Sequence, residues 1–163
     1  MKTSKVGIEL IGYYEGEKLS PYLCPANVVT ISIGVVLLDE KGNQLKGKEG
    51  LEKSKILYPE LQNITKDKSK ELFKNSLKSY EKDLNSLKLD LFQHEYDALI
   101  SLIYNIGFNG FKNSTLLKRI IARSGDIREA FLMWNKVKGK SVSGLTKRRG
   151  SEATLFITGK LIL

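Results

Sequence analysis

One cysteine, one histidine, one tryptophan and three prolines in 163 residues leave several common designs without material. A lone cysteine cannot close an internal disulfide, so stability has to come from packing. A lone histidine, His94, with no second histidine and no cysteine at ligand spacing argues against a metal site. There is no glycine-rich phosphate loop, no Ser-His-Asp arrangement and no zinc motif, so neither a metal nor a cofactor is expected. No apolar run approaches the roughly 20 residues that span a bilayer. The N-terminus, MKTSKVGIELIGYYEGEK, is interrupted by Glu9 and Glu15 before a signal-like core develops. Stable membrane insertion and an export signal are therefore not expected either.

What is present describes an ordinary globular protein. The chain is 41% apolar and 28% charged, and its length suits one domain with a core large enough to fold alone. Lys and Arg outnumber Asp and Glu by 27 to 18, a net charge of +9. That favours a polyanionic partner such as nucleic acid, an acidic membrane surface or a bacterial cell wall, or else a solvated lysine-rich surface. Nucleic acid ranks last, because the basic residues are scattered and no aromatic platform is interleaved with them.

Along the chain, residues 4–15 place Val6, Leu10, Ile11 and Tyr14 on one helical face, with Ser4 as cap and Gly16 as stop. Residues 22–38, YLCPANVVTISIGVVLL, are rich in Val, Ile and Thr with Pro25, Asn27 and Gly34 as punctuation, and predict short strands and turns. A polar loop is expected over 39–50. From about residue 65 the pattern is helical: a long helix capped by Thr65, a buried helix over 91–106 ended by Gly107, and amphipathic segments at 114–123, 126–138 and 144–158. Trp134 sits at core spacing. The block KRRGSE, residues 147–152, reads either as a phosphate site or as a basic helix face.

Within EGEKLSPYLCPANVVTISIG, residues 15–34, three side chains have the chemistry for hydrolysis. Breaking a glycosidic bond takes an acid for the leaving oxygen and a second group that activates water or stabilises the developing cation. Glu15, at a helix end, suits the acid. Cys24 acts through its thiolate, which nearby cations would favour, or is simply a small buried residue. Thr30 can hold water, or is what strand propensity selects.

The motif EGxxLxxYxD followed by a glycine turn and TIGxGH resembles the phage-type lysozymes of the T-even and lambdoid endolysin group, glycoside hydrolase family 24. Here Glu15, Gly16, Leu19, Tyr22, Cys24, Thr30, Ile31 and Gly34 fall in register. Three further blocks follow in the family's order: ITKDKSKELF (64–73) is similar to ITxDEAExLF, LISLIYNIGFNGFKNSTLLKRI (99–120) to ALxNMxFNxGxxxFxxSTLLxxL, and GLTKRRGSEATLF (144–156) to GLxxRRxxExxLF.

The resemblance implies an α+β, lysozyme-like fold. A small sheet-containing lobe would lie over about 15–63, a linking helix over 65–85 and a helical lobe over 86–163, with helix 4–15 packed on the last. It implies a muramidase cutting between N-acetylmuramic acid and N-acetylglucosamine in peptidoglycan, in the manner of family members that invert the anomeric carbon. It further implies a phage or prophage endolysin, monomeric, held in the host cytoplasm until a partner holin opens the way to the wall. Glu15 would be the general acid, Cys24 would stand at the catalytic carboxylate and Thr30 at the threonine that positions water. Tyr104 and Ser114 match sugar-touching positions, and Arg148 matches the arginine near the catalytic glutamate. Departures are Cys24 for Asp, Asn27 for the turn glycine, Ser32 for the first glycine of TIGxG and Val35 for histidine. Ser32 and Val35 are expected to reshape the cleft floor, and with Cys24 they motivate the alternative of an impaired relative that binds wall glycan or a protein.

Overall fold

The computed structural model describes residues 1–163 as two compact units, Glu15–Ser76 and Met1–Tyr14 with Leu77–Leu163.

The smaller unit is built on a three-stranded antiparallel sheet, β1 (Lys18–Leu23), β2 (Val29–Ser32) and β3 (Val35–Val36), in the order β1-β2-β3. Pro21 has no N–H to give a ladder and is tolerated because β1 is an edge strand, where the register also slips between Lys18 and Tyr22. β2 is buried along its whole length. The β1–β2 connection is a tight turn: the Asn27 N–H donates to the Cys24 carbonyl (2.8 Å) and the Cys24 N–H to the Val28 carbonyl (3.0 Å). Asn27 has φ +60, a left-handed conformation that asparagine adopts at little cost. The expected loop over 39–50 is cut short, because helix α2 (Gly47–Leu57) begins inside it. Leu51 and Leu57 of α2 pack on a core of Val29, Ile31, Leu37, Leu45, Leu61 and Ile64, a helical period easily missed among so many lysines and glutamates. Val35 packs on the same cluster, so it serves the core.

Helix α1 (Lys5–Glu15) buries Gly7, Leu10 and Ile11. Its start is held in the larger unit by Asp97, whose carboxylate accepts from the Ser4 N–H (2.8 Å) and hydroxyl. Gly7 is required there, since a Cβ would stand 2.7 Å from a Thr3 methyl and 2.9 Å from Asp97 Oδ1. Helix α3 (Lys66–Ser86) is capped by Thr65 as expected, its hydroxyl accepting from the Lys68 N–H (3.2 Å). The smaller unit extends through the first half of α3 to Ser76, beyond the expected lobe boundary at 63.

The larger unit centres on α4 (Gln93–Ile106), buried without a break from Tyr96 to Ile103 and packed against α8 (Ser143–Thr158). Between them come α5 (Phe108–Lys112), α6 (Thr115–Ala122) and α7 (Ile127–Leu132). The helix expected over 126–138 stops at Leu132, and a two-stranded hairpin, β4 (Lys136–Val137) and β5 (Lys140–Ser141), takes its place. Lys138 and Gly139, both at positive φ, form the hairpin turn that ends the helical pattern.

Candidate active site

Glu15 is the last residue of α1, and Gly16 at φ +70 turns the chain directly into β1. Tyr22, on β1, is the cross-strand partner of Thr30 on β2, and Cys24 opens the turn that joins the two strands. Glu15 and Cys24 are part-exposed, whereas Thr30 is only 3% exposed.

Electrostatics shows that these groups share one neighbourhood. Burial pushes the Tyr22 phenol above its ordinary value, and the negative charges of Cys24 and then Glu15 push it further. Both charges are therefore felt at the same phenol. Tyr22 belongs to the quoted motif, yet its spacing alone assigned it no part.

The Cys24 thiol is shifted the other way. Partial burial works against the thiolate, but hydrogen bonding from the backbone at Val28 and Ala26, from the Thr30 hydroxyl and from the cysteine's own backbone outweighs it and lowers the pKa. This corrects the expectation from sequence. The thiolate is favoured by the turn's own N–H groups and the Thr30 hydroxyl, and cations are not the cause. The Thr30 hydroxyl also lies 3.1 Å from the Val28 carbonyl. Its one proton serves one acceptor at a time, and a thiolate is the stronger. Thr30 thus contacts Cys24 from inside the hairpin.

Ser32 holds φ +58, the left-handed region that a glycine would occupy freely. It is fully buried, and its hydroxyl lies 2.8 Å from both the carbonyl and the hydroxyl of Ser69. The departure from glycine is accommodated, and Ser69 is a residue that the sequence did not single out.

The other three expected residues belong to the larger unit. Tyr104 is part-exposed, its ring 5.0 Å from that of Tyr80. Ser114 is buried and caps α6, accepting from the Leu117 N–H at 3.0 Å. Arg148 lies inside a buried ion cluster: its Nε donates to Glu152 Oε1 (3.2 Å), its Nη2 to the Ser101 carbonyl (3.2 Å), and its guanidinium carbon is 5.7 Å from the Tyr14 ring centroid. Arg149 also pairs with Glu152 (2.7 Å) and Ser101 donates to it (2.7 Å). Burial raises the Glu152 carboxyl while Arg149 and Arg148 pull it back. KRRGSE is therefore neither a phosphate site nor an exposed basic face, since both arginines are spent on Glu152 within the core.

A cavity of about 420 Å³ on the larger unit, lined by Leu91, Phe92, Arg119, Ile120, Arg123 and Phe156 among others, contains none of these residues. Its arginines are paired, Arg123 with Asp90 and Arg119 with Glu129.

Residues 12–152 match the phage lysozyme family. This chain belongs to the phage lysozyme family. It is 34% identical over 98% of its length to the endolysin of Bacillus phage B103, spanning 56% of that longer protein. It is 33% identical to the endolysin of Salmonella phage P22, with 97% of this chain and 99% of that one covered. Among solved structures, the endolysin from Escherichia coli O157:H7 phage FAHEc1 is similar at TM-score 0.78 and 28% identity, covering 100% of this chain and 98% of that one. The muramidase domain of SpmX from Asticaccaulis excentricus is similar at TM-score 0.72 and 26% identity, covering 96% and 98%. The α+β, lysozyme-like fold expected from the sequence is the one found.

Proposed function

We propose that this phage lysozyme is a muramidase, hydrolysing peptidoglycan between N-acetylmuramic acid and N-acetylglucosamine, with Glu15 as general acid and the Cys24 thiolate as the second group. The observation that carries the assignment is the Glu15–Tyr22–Cys24 neighbourhood, in which one phenol feels both charges while the turn lowers the cysteine's pKa. Membership of the family supports the reaction class.

In this mechanism Glu15 protonates the leaving oxygen as the glycosidic bond breaks. Cys24 takes a proton from a water on the opposite face of the sugar, and the product inverts at the anomeric carbon. Thr30 holds the thiolate through its hydroxyl, and the water is held through the sulfur. Tyr104 offers its part-exposed ring to the glycan. Within the larger unit, Ser114 fixes the start of α6 and Arg148 lies over the ring of Tyr14, the residue before Glu15.

The net charge of +9 suits an anionic wall. No helix is long and apolar enough to cross a membrane. We read the chain as a monomer that waits in the host cytoplasm and reaches the wall through lesions made by a partner holin, in line with its membership of the phage lysozyme family. Reducing-end release from purified peptidoglycan tests the reaction. New muramic acid reducing ends, formed initially as the inverted anomer and lost in Glu15→Gln, are expected; cleavage of peptide bonds alone would refute it. Lysis on expression only when a holin is co-expressed tests the route.

A further inference from the structure

The smaller unit contains a line of hydrogen-bonded side chains that the catalytic assignment leaves unused. Ser32, at the end of β2, lies 2.8 Å from Ser69 Oγ and 2.8 Å from the Ser69 carbonyl. Ser69, fully buried in the first turn of α3, donates its hydroxyl to Glu17 Oε1 at 2.7 Å. The protons can be assigned without conflict: Ser69 gives its only hydroxyl proton to the carboxylate, so its Oγ can only accept, and the one proton of Ser32 is shared between that Oγ and the Ser69 carbonyl, both at 2.8 Å. The line therefore runs Ser32 to Ser69 to Glu17 and ends in a charge-assisted bond.

Its placement is what matters. Ser32 is two residues after Thr30, and Glu17 is two residues after Glu15. The Glu17 segment is fixed twice more to the chain leading into α3, by the Ile64 N–H on the Leu19 carbonyl (2.8 Å) and by the Ser20 hydroxyl on the Gln62 carbonyl (2.5 Å). The family motifs quoted from the sequence carry glycine where Ser32 stands and alanine where Ser69 stands. In this chain the two departures are each other's hydrogen-bond partners.

We propose that Ser32, Ser69 and Glu17 form a positioning network that fixes the segment bearing Glu15 against the strand bearing Thr30, and so sets the turnover rate rather than glycan affinity. The inference rests on the roles given above to Glu15 and Cys24. A displacement of about 1 Å in a reacting group costs as much as 10²-fold in rate, so a network that restrains two segments to a fraction of this has a measurable effect.

The test is kcat and KM on purified peptidoglycan, per folded molecule counted from circular dichroism and thermal melts, for Ser69→Ala, Glu17→Ala, Glu17→Gln, Ser32→Gly and the double Ser32→Gly/Ser69→Ala. Ser69→Ala and Glu17→Ala are expected to lower kcat roughly tenfold with KM nearly unchanged. Glu17→Gln keeps an acceptor oxygen and recovers most of the rate. The double variant is expected to be no worse than the poorer single, because both remove the same line. Glu17 is exposed, so its variants fold even if a buried serine proves indispensable to stability. Unchanged kcat in Ser69→Ala and Glu17→Ala, or single losses that multiply in the double, would overturn the network. Glu15→Gln run in parallel separates the two claims: full turnover there overturns the catalytic assignment, whereas its loss beside a wild-type rate in Ser69→Ala and Glu17→Ala overturns the network alone.

Discussion

The two units bury different things. In the larger, α4 is enclosed from Tyr96 to Ile103, and Leu10, Ile11, Phe111, Leu116, Phe131 and Leu155 of the other helices are each fully buried. Besides the capping contacts of Asp97 and Ser114 and the Ser151 hydroxyl beside Tyr14, its buried polar groups collect in one closed cluster of Arg148, Arg149, Glu152 and Ser101. In the smaller, six apolar residues form the core, and the hydroxyls of Thr30, Ser32 and Ser69 are buried beside it. Those hydroxyls hold the turn, the strand end and the Glu17 segment around the proposed catalytic groups. A small core with directed polar contacts suits the placing of reactive groups, and a large apolar core with charges locked inside suits stability.

Perturbing each unit in turn should separate rate from stability. Glu15→Gln, in the smaller unit, is expected to lower turnover by about 10²–10⁴-fold with an unchanged melting temperature; a matching fall in both would erase the distinction. Glu152→Ala, in the larger, strands two buried guanidinium groups and is expected to cost about 3–5 kcal/mol in urea unfolding, as much as a core truncation such as Leu99→Ala, about 2–5 kcal/mol with its cavity. A loss below 1 kcal/mol would mean that the cluster opens to water.

Cys24 supplies a pH test. Its folded-state pKa is depressed, so the thiolate contributes stability above the unfolded thiol's pKa, and this is lost as pH falls through the folded value. Alkylation by iodoacetamide should accordingly reach half its maximal rate at lower pH in the native protein than in the urea-unfolded chain. Thr30→Val, which removes one hydrogen bond to sulfur, should move that midpoint upward; an identical midpoint in all three samples would contradict the turn's role. The smallest effect is expected at Asn27: Gly is tolerated there, and Val costs about 1–2 kcal/mol in thermal unfolding because φ is +60.

Much of this was legible in the sequence, for physical reasons that differ by segment. α1, α3 and α4 carry strong helical periodicity with Ser4, Thr65 and Gly107 at their ends, and all three form as expected. α2 escaped because its apolar face is only a few residues wide among lysines and glutamates. The end of α7 at Leu132 escaped because Lys138 and Gly139 read as helix surface until their positive φ is seen. At the candidate site the spacing of Glu15, Cys24 and Thr30 was legible. The cause of the cysteine's shift was not, because it lies in backbone N–H groups that no residue pattern displays. Arg149 and Glu152 read as surface charges for a similar reason: pairing at i, i+3 shows in the sequence, but burial does not. Ser32 looked like a defect until its partner Ser69 was visible across 37 residues of chain.

The claim that the smaller unit carries the chemistry through an acid and a thiolate is tested most directly by turnover of purified peptidoglycan by wild type, Cys24→Asp and Cys24→Ala, each confirmed folded. Retention of activity in Cys24→Asp with its loss in Cys24→Ala is the expected result. Wild-type turnover by Cys24→Ala would contradict it.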